Sequence, residues 1–475
     1  MPPPSLPIIS DVVEKGFCCG CGACAGVCPT TSLALTLDKY GELKPGLGTG
    51  CISCSLCARV CPFLNGNANE TTIAQDKFGG QTGLQHNAVT GVSLDAYYGY
   101  THDADARWAA SSGGLTTWLL SALLKSNQIN GALIVAPTGK SAPLFAYQIA
   151  RTPEAVMRSA KSAYYPVNVS EVMRTIRETP GCYAVVGLPC VIKAIELARK
   201  QLPVFRDRIV FTVGLVCGQL KSSHYSNYLA RRVGVTDAVK HACYRKKEHG
   251  RRASDYLFQC ETVSGQVSRS LPFHAIGHVW AHDWFKVHAC NACDDVFAEC
   301  ADIVLMDAWL PRYAEEDRGG NLVLVRNSEL DRCLRNGAAK GDIHLEPLAI
   351  DEVIESQRGV VQNKRYGLQL RLDLMERQGL SVPTKRSFPS SMGATKAHGI
   401  QGLIFKNAVR LKYLANNLTR NAASSDLAPA TERKLKMIRT VIRAQTRLAS
   451  WLGSCPWARA DMANLPLERQ RCKFF

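Results

Sequence analysis

Two cysteine runs carry the clearest chemistry in this sequence. Cys18, Cys21, Cys24 and Cys28 stand at C-x2-C-x2-C-x3-C spacing with Pro29 next, and Cys51, Cys54, Cys57 and Cys61 repeat the pattern with Pro62 next. Three thiolates on one tight turn cap three corners of an iron–sulfur cubane, and the fourth corner needs a thiolate from elsewhere. The small residues between them (Gly20, Gly22, Ala23, Ser53, Ser55) let backbone N–H groups approach sulfur. Zinc is the competing ligand for C-x2-C motifs. It takes four ligands per ion from paired motifs, whereas here two complete runs each end in Cys-Pro. Cys19 is a ninth thiol outside the pattern.

The same run occurs in bacterial-type two-cluster ferredoxins, where the fourth cysteine of each run ligates the other cluster. One 4Fe-4S cluster is therefore expected on Cys18, Cys21, Cys24 and Cys61, and a second on Cys51, Cys54, Cys57 and Cys28.

Four further thiols stand where an α/β protein gathers its ligands. Cys190 ends Val185-Val-Gly-Leu-Pro-Cys190, Cys217 ends Val213-Gly-Leu-Val-Cys217, and Cys290-Asn-Ala-Cys293 is a C-x2-C pair. Two thiols at strand carboxyl ends and two on one turn suffice for a third 4Fe-4S cluster. Cys182, Cys243, Cys260, Cys300, Cys333, Cys455 and Cys472 read as ordinary small apolar residues. Ser111-Ser-Gly-Gly114 opens a helical pattern running through Leu124, and a helix N-terminus of that kind offers N–H donors to a phosphate; Ser/Gly caps are also common without any ligand. His274, His278, His282 and His288 precede Cys290, and the ordinary reading of each is structural.

The elements that must position these groups follow from the hydrophobic pattern. A short aromatic run at Ala96–Tyr100 and β-branched runs at Ala132–Ala136, Tyr183–Val186, Ile209–Val216, Ile303–Met306 and Leu322–Val325 alternate with helical stretches such as Val191–Lys200 and His224–Arg232. That alternation predicts an α/β domain with a largely parallel or mixed sheet. The expected organisation is a ferredoxin-like domain at 1–66, a polar Gly/Asn/Thr-rich linker at 67–91, an α/β flavin-binding domain at 92–335 and a basic helical extension at 336–475.

Twenty cysteines without a signal-peptide pattern predict a reducing, cytoplasmic setting. The longest apolar runs, such as Leu115–Leu124, reach about half the length of a membrane span. Of the net charge of +17, +15 lies after residue 359, where 21 Lys and Arg face 6 Asp and Glu. A basic tail on a near-neutral body argues against a nucleic-acid-binding domain.

From Gly16 to Asn327 the sequence resembles the family of coenzyme F420 hydrogenase and dehydrogenase beta subunits, which also includes a hydroxymethyl chlorophyll reductase. The double cysteine run, Ser111-Ser-Gly-Gly114, Gly187-Leu-Pro-Cys190, Gly-Leu-Val-Cys217-Gly, Cys290-x2-Cys293-x-Asp295, Ala301-Asp-Ile303 and Gly319-Gly320 occur in the family's order. The resemblance implies FAD beside a 4Fe-4S cluster held by Cys190, Cys217, Cys290 and Cys293. It places the FAD phosphates at Ser111, Ser112, Gly113 and Gly114, with Lys161, Ser162, Tyr164, Gly187 and Pro189 as further contacts. Lys161-Ser-Ala-Tyr-Tyr-Pro166 resembles the family's Gly-Ser-Lys-Tyr-Val-Pro, but Ala163 stands where the family has lysine, which removes a cation from a site for an anionic cofactor tail.

The expected function is an oxidoreductase in which FAD joins one-electron clusters to a two-electron organic acceptor. The alternative is an electron-transfer subunit whose partner holds the substrate site. Ferredoxin or another redox protein and a small-molecule substrate are the expected partners. Thr431–Ser454 reads as one helix, with Leu435, Ile438, Val441, Ile442, Leu448, Trp451 and Leu452 near one face. It could pack on the body, dock an acidic redox partner, or lie on an anionic membrane surface as a peripheral attachment.

Overall fold

The computed structural model describes residues 6–386, 400–422 and 426–451. The N-terminal lobe shows the sequence duplication in its backbone. Gly22 (φ +82°) and Ser55 (φ +59°) both adopt the left-handed conformation directly before short helices, Ala23–Val27 and Leu56–Arg59. At Gly22 the requirement is double, because a Cβ would also fall 2.7 Å from the Asn168 side chain. Between the two halves lies an antiparallel hairpin of β1 (Leu33–Leu37) and β2 (Leu43–Leu47).

The stretch read as a linker is ordered. Asn69 caps the helix Glu70–Phe78 by accepting from Thr72 N–H, and a small hairpin of β3 (Gln85–Asn87) and β4 (Gly91–Ser93) follows. Lys77 on that helix reaches into the next domain, donating to Glu196 Oε1 at 2.7 Å, Asp302 Oδ2 at 2.9 Å and the Thr212 hydroxyl at 2.9 Å. A nearly buried ammonium paired in this way fixes the connection rather than leaving it free.

The main sheet is built from β5 (Asp95–Thr101), β6 (Gly131–Pro137), β7 (Phe145–Ala150), β8 (Tyr183–Gly187) and β9 (Ile209–Leu215). A separate antiparallel sheet of β10 (Val239–Lys246), β11 (Leu257–Thr262) and β12 (Leu271–Pro272) interrupts it before β13 (Ile303–Asp307), β14 (Asn321–Val325) and β15 (Ile343–Pro347) complete it. The order is β15-β5-β14-β13-β9-β8-β6-β7. Its four central strands, β6, β8, β9 and β13, are parallel, and antiparallel strands flank them. Each predicted β-branched run lies within one of these strands or overlaps it by all but its last residue; β7, β15 and the small sheet were not predicted.

Alternation along the strands gives each face its own core. Tyr97, Ala132, Ile134, Phe211, Ile303, Leu305 and Val323 pack with Leu119, Leu120 and Leu123 of the helix Leu115–Lys125 and with Leu330 and Leu334 of Ser328–Ala339. Tyr98, Leu133, Val185, Val304 and Leu322 face the other way. There they meet Ile192 and Ile195 of the helix Pro189–Gln201, Met173 and Ile176 of Ser170–Glu178, and Val27, Leu56 and Val60 of the cysteine-rich lobe.

Two long helices, Ile400–Asn421 and Pro429–Trp451, form the C-terminal region. Leu435, Ile438 and Ile442 are buried in one cluster with Tyr228, Trp284 and Phe285, so the last helix packs on the body. Val441 and Leu448, placed on the same apolar face by the sequence, are instead 42% and 44% exposed. The Trp451 side chain, Leu452, Cys455 and Cys472 lie outside the described residues. No helix among the described residues is long and apolar enough to cross a membrane.

Candidate redox site

The cysteines fall into three sets. Cys18, Cys21, Cys24 and Cys61 line one cavity with Cys19, Phe17, Val60 and Phe63, so a thiol of the second run joins those of the first. Cys28, Cys51, Cys54 and Cys57 line a second cavity with Leu6, Leu33 and Ile52, which takes its odd thiol from the first run. The exchange follows from the duplicated backbone: each run curls three thiols around its own left-handed residue, and its Cys-Pro end crosses to the other half. Burial pushes the Cys18 thiol up to about 11 and that of Cys61 up to about 12. A neutral thiol is thus favoured in the first cavity until a cation-bearing group displaces the proton.

The third set is assembled at the carboxyl ends of neighbouring parallel strands. Cys190 follows β8 on the first turn of the helix Pro189–Gln201, and Cys217 follows β9. Cys290 lies in the 3-10 turn His288–Ala292 and Cys293 directly follows that turn. Burial raises the Cys290 thiol above its ordinary range, and the nearby sulfurs of Cys217 and Cys293 raise it further. Burial likewise pushes the Cys217 thiol up to about 11. The Leu220 N–H donates to Cys290 Sγ at 3.2 Å. Such an N–H···S contact is one of the levers that stabilise a cluster-bound thiolate. Cys19 lies between sets, its thiol in hydrogen-bonding contact with both Cys21 and Cys190. Each set contributes thiols to one continuous apolar cluster. Among the described residues no three His, Cys, Asp or Glu side chains converge as they would on a single metal ion.

The Ser/Gly turn and the Lys161 segment meet. Ser162 N–H donates to Ser111 Oγ at 2.8 Å, and the two hydroxyls lie 3.0 Å apart. Lys247 braces this turn from β10's far end, donating to the carbonyls of Arg107 at 2.7 Å, Ser112 at 2.8 Å and Arg318 at 2.6 Å. Burial, with Lys161, Arg245 and Arg107 nearby, lowers the Lys247 ammonium to about 7. Burial lowers Lys161 as well, with Arg245 adding to the effect. Arg245 is paired with Asp307 and Arg107 with Glu316, each at 2.8 Å. Among the described residues Lys161 and Lys247 are thus the cations of this group without a carboxylate partner of their own, and they are chemically suited to a pyrophosphate. Gly113 and Gly114 face inward. A Cβ on Gly113 would meet Asn321 N and Gly99 O, each at 2.8 Å, so that glycine lets the turn lie against β5 and β14. Asn321 Oδ1 in turn accepts from Leu115 N–H at 3.2 Å, taking one of the helix's free donors.

Tyr164 lies among aromatic rings, 4.6 Å from Trp280 and 5.3 Å from Tyr244 between centroids. Gly187 and Pro189 belong to the turn that presents Cys190, with Pro189 as the first residue of its helix. The four histidines do not form a catalytic group. His274 bonds Asp255 at 2.9 Å, while burial holds both His278 and His282 down at about 3. Burial also holds His288 at about 4, and it sits beside Phe17.

The C-terminal region closes over the third set. Arg386 donates to Glu299 Oε2 and Oε1 at 2.8 and 2.9 Å and to Asp294 Oδ2 at 2.8 Å. Arg365 pairs with Glu299, and Arg420 meets Glu42 at 3.0 Å. Part of the tail's positive charge, Arg365, Arg386 and Arg420, therefore neutralises buried acids of the body. Sequence reading missed Lys247, Lys364 and these arginines; isolated basic residues in a basic stretch carry no spacing signal.

Comparison with known proteins identifies the family. The N-terminal part of the family described as coenzyme F420 hydrogenase/dehydrogenase, beta subunit, matches residues 96–174, and its C-terminal part matches residues 181–351. One of the subunits of the F(420)H(2) dehydrogenase of Methanosarcina mazei is 25% identical over 326 residues, which is 67% of this chain and 82% of that protein. A coenzyme F420-dependent sulfite reductase from Methanocaldococcus jannaschii is 26% identical over 227 residues, 44% of this chain and 32% of that protein. A chain in the F420-reducing [NiFe] hydrogenase complex of Methanosarcina barkeri is similar with a TM-score of 0.48 and 18% identity, covering 64% of this chain and 99% of that one.

Proposed function

The chain belongs to the family of coenzyme F420 hydrogenase/dehydrogenase beta subunits, and from that premise we propose that it is an iron–sulfur flavoprotein passing electrons between 4Fe-4S clusters and a two-electron acceptor. One observation carries this reading: each of the three sets of four thiols contributes members to one apolar cluster, and Cys19 lies beside members of two of them. Twelve thiols in such an arrangement, all but Cys54 buried or half-buried, suit a chain of clusters better than separate zinc sites, which would draw their ligands to single points.

When bound, FAD would accept electrons singly from the clusters and exchange them with the acceptor as a pair. Ser111, Ser162, Lys161 and Lys247 would hold its pyrophosphate, and the aromatic group around Tyr164 would provide an apolar wall for its rings. Cys190, Cys217, Cys290 and Cys293 would hold the cluster nearest the sheet. The N-terminal lobe would receive electrons from, or deliver them to, a redox protein, in keeping with the relative that is part of a dehydrogenase. Both curated relatives carry F420 in their names, which makes the deazaflavin the first acceptor to assay. Ala163 keeps other two-electron acceptors in the test.

Anaerobic purification followed by iron, sulfide and flavin determination tests the reading. Bound flavin and a broad visible absorption bleached by dithionite are expected, with cluster bleaching preceding flavin reduction in stopped flow. A colourless, flavin-free protein loaded with zinc would overturn it.

A further inference from the structure

Lys364 and Arg371 come from the region beyond residue 351, where the family match ends. Both are buried, at 3% and 1% exposure. Lys364 lies in the short π-helical segment Gln362–Tyr366, and its ammonium donates to two backbone carbonyls, Cys217 O at 3.2 Å and Asp295 O. Arg371, on the helix Leu368–Glu376, donates to Asn291 O at 2.9 Å and Lys364 O at 3.3 Å, and also to Asn363. Its contact to Asn291 fixes the turn between Cys290 and Cys293.

Among the described residues neither cation forms an ion pair with a carboxylate. The Lys364 ammonium is instead anchored on the backbone of Cys217, one of the four thiol-bearing residues, and on that of Asp295, two residues beyond Cys293. Arg371 is near Cys293 and Cys290 too, with Asp283. A buried charge requires an opposite charge close by. Four neutral thiols do not provide it. Four thiolates around a 4Fe-4S core do, because such a cluster is anionic as a whole and gains a further negative charge on reduction.

We infer that Lys364 and Arg371 form a fixed cationic cap, supplied by the C-terminal region, that stabilises the reduced state of the cluster held by Cys190, Cys217, Cys290 and Cys293. The inference rests on the third-cluster reading. Net charge around a cluster is one of the determinants of its potential. The cap would raise this cluster's potential relative to the N-terminal pair, so that electrons leaving the lobe settle beside the flavin.

The experiment is a redox titration of the full chain followed by electron paramagnetic resonance. The third cluster's signal is first identified as the one absent from Cys290→Ser. Lys364→Met should keep that signal and make its reduction about tenfold less favourable, a shift of about 59 mV to lower potential for a one-electron couple. The two N-terminal clusters should keep their midpoints, and Lys364→Arg should restore the wild-type value. If Lys364→Met fails to accumulate as folded protein, Arg371→Met decides, with a shift in the same direction expected. An unchanged midpoint, or an equal shift in Lys364→Arg, overturns the cap while the third cluster stands. If Cys290→Ser removes no signal, the third-cluster reading and the cap both fall.

Discussion

The thiol of Cys19 touches that of Cys190, joining the N-terminal lobe to the carboxyl end of β8. Each of the three sets has four other thiols, so Cys19 is surplus to ligation. Cys19→Ser should therefore retain all the iron of the wild type. Electron passage between the lobe and the flavin should slow, because a polarisable sulfur at the junction is replaced by a hydroxyl. Loss of about four iron atoms in this variant would instead make Cys19 a ligand.

Gly113 packs against the backbone of β5 and β14 rather than facing open space. Gly113→Ala should destabilise the fold by about 1–3 kcal/mol through overpacking. Flavin loss should follow the thermal transition rather than precede it. Lys161→Ala, on a half-exposed segment, should weaken FAD without moving the melting temperature. Equilibrium dialysis and differential scanning calorimetry separate these effects. Flavin loss from Gly113→Ala at unchanged melting temperature would give that glycine a direct role at the phosphates.

The last helix is part of the body. Leu435 is fully buried, and Leu435→Ala should cost about 2–5 kcal/mol, read by chemical denaturation. Truncation after Asn421 should expose the apolar cluster around Tyr228 and Trp284 and yield aggregated protein. A well-folded truncated protein with wild-type stability would restore the tail as a separate docking element.

Acid should loosen the closure over the third set. Burial opposes the charge on Glu299, but Arg386 and Arg365 win and hold its carboxyl below the ordinary 4.5. A carboxylate lowered on folding contributes stability that is complete above the unfolded value and is lost as pH falls through the folded one. Arg386→Gln should remove about 3–5 kcal/mol at neutral pH by leaving Glu299 and Asp294 short of a partner. The difference between variant and wild type should narrow below pH 4.5. A difference independent of pH would assign the loss to packing alone.

How much of this was legible in the sequence depended on local order. The cysteine runs carry their chemistry in fixed spacing, and the same spacing leads to the expectation that Cys28 and Cys61 cross between halves. The central strands were legible because β-branched runs such as Tyr183–Val186 need no partner to be recognised. The antiparallel edge strands β7 and β15 were not, since Phe145–Ala150 and Ile343–Pro347 mix apolar and polar residues on half-covered positions. The linker reading failed to foresee Lys77, whose partners Glu196 and Asp302 lie more than a hundred residues away. Basic composition leaves the tail open between packing on the body, docking a partner and lying on a membrane surface. Arg365, Arg386 and Arg420 pair with Glu299, Asp294 and Glu42, and no local pattern announces a partner so distant in sequence.

The account turns on whether the thiols at the ends of β8 and β9 and on the Cys290 turn hold a cluster of their own. Iron and acid-labile sulfide in anaerobically purified Cys290→Ser, measured beside the wild type, address this most directly. Three clusters predict about twelve iron atoms per wild-type chain and about eight in the variant, with the N-terminal signals intact. Equal iron in the two proteins would contradict the account.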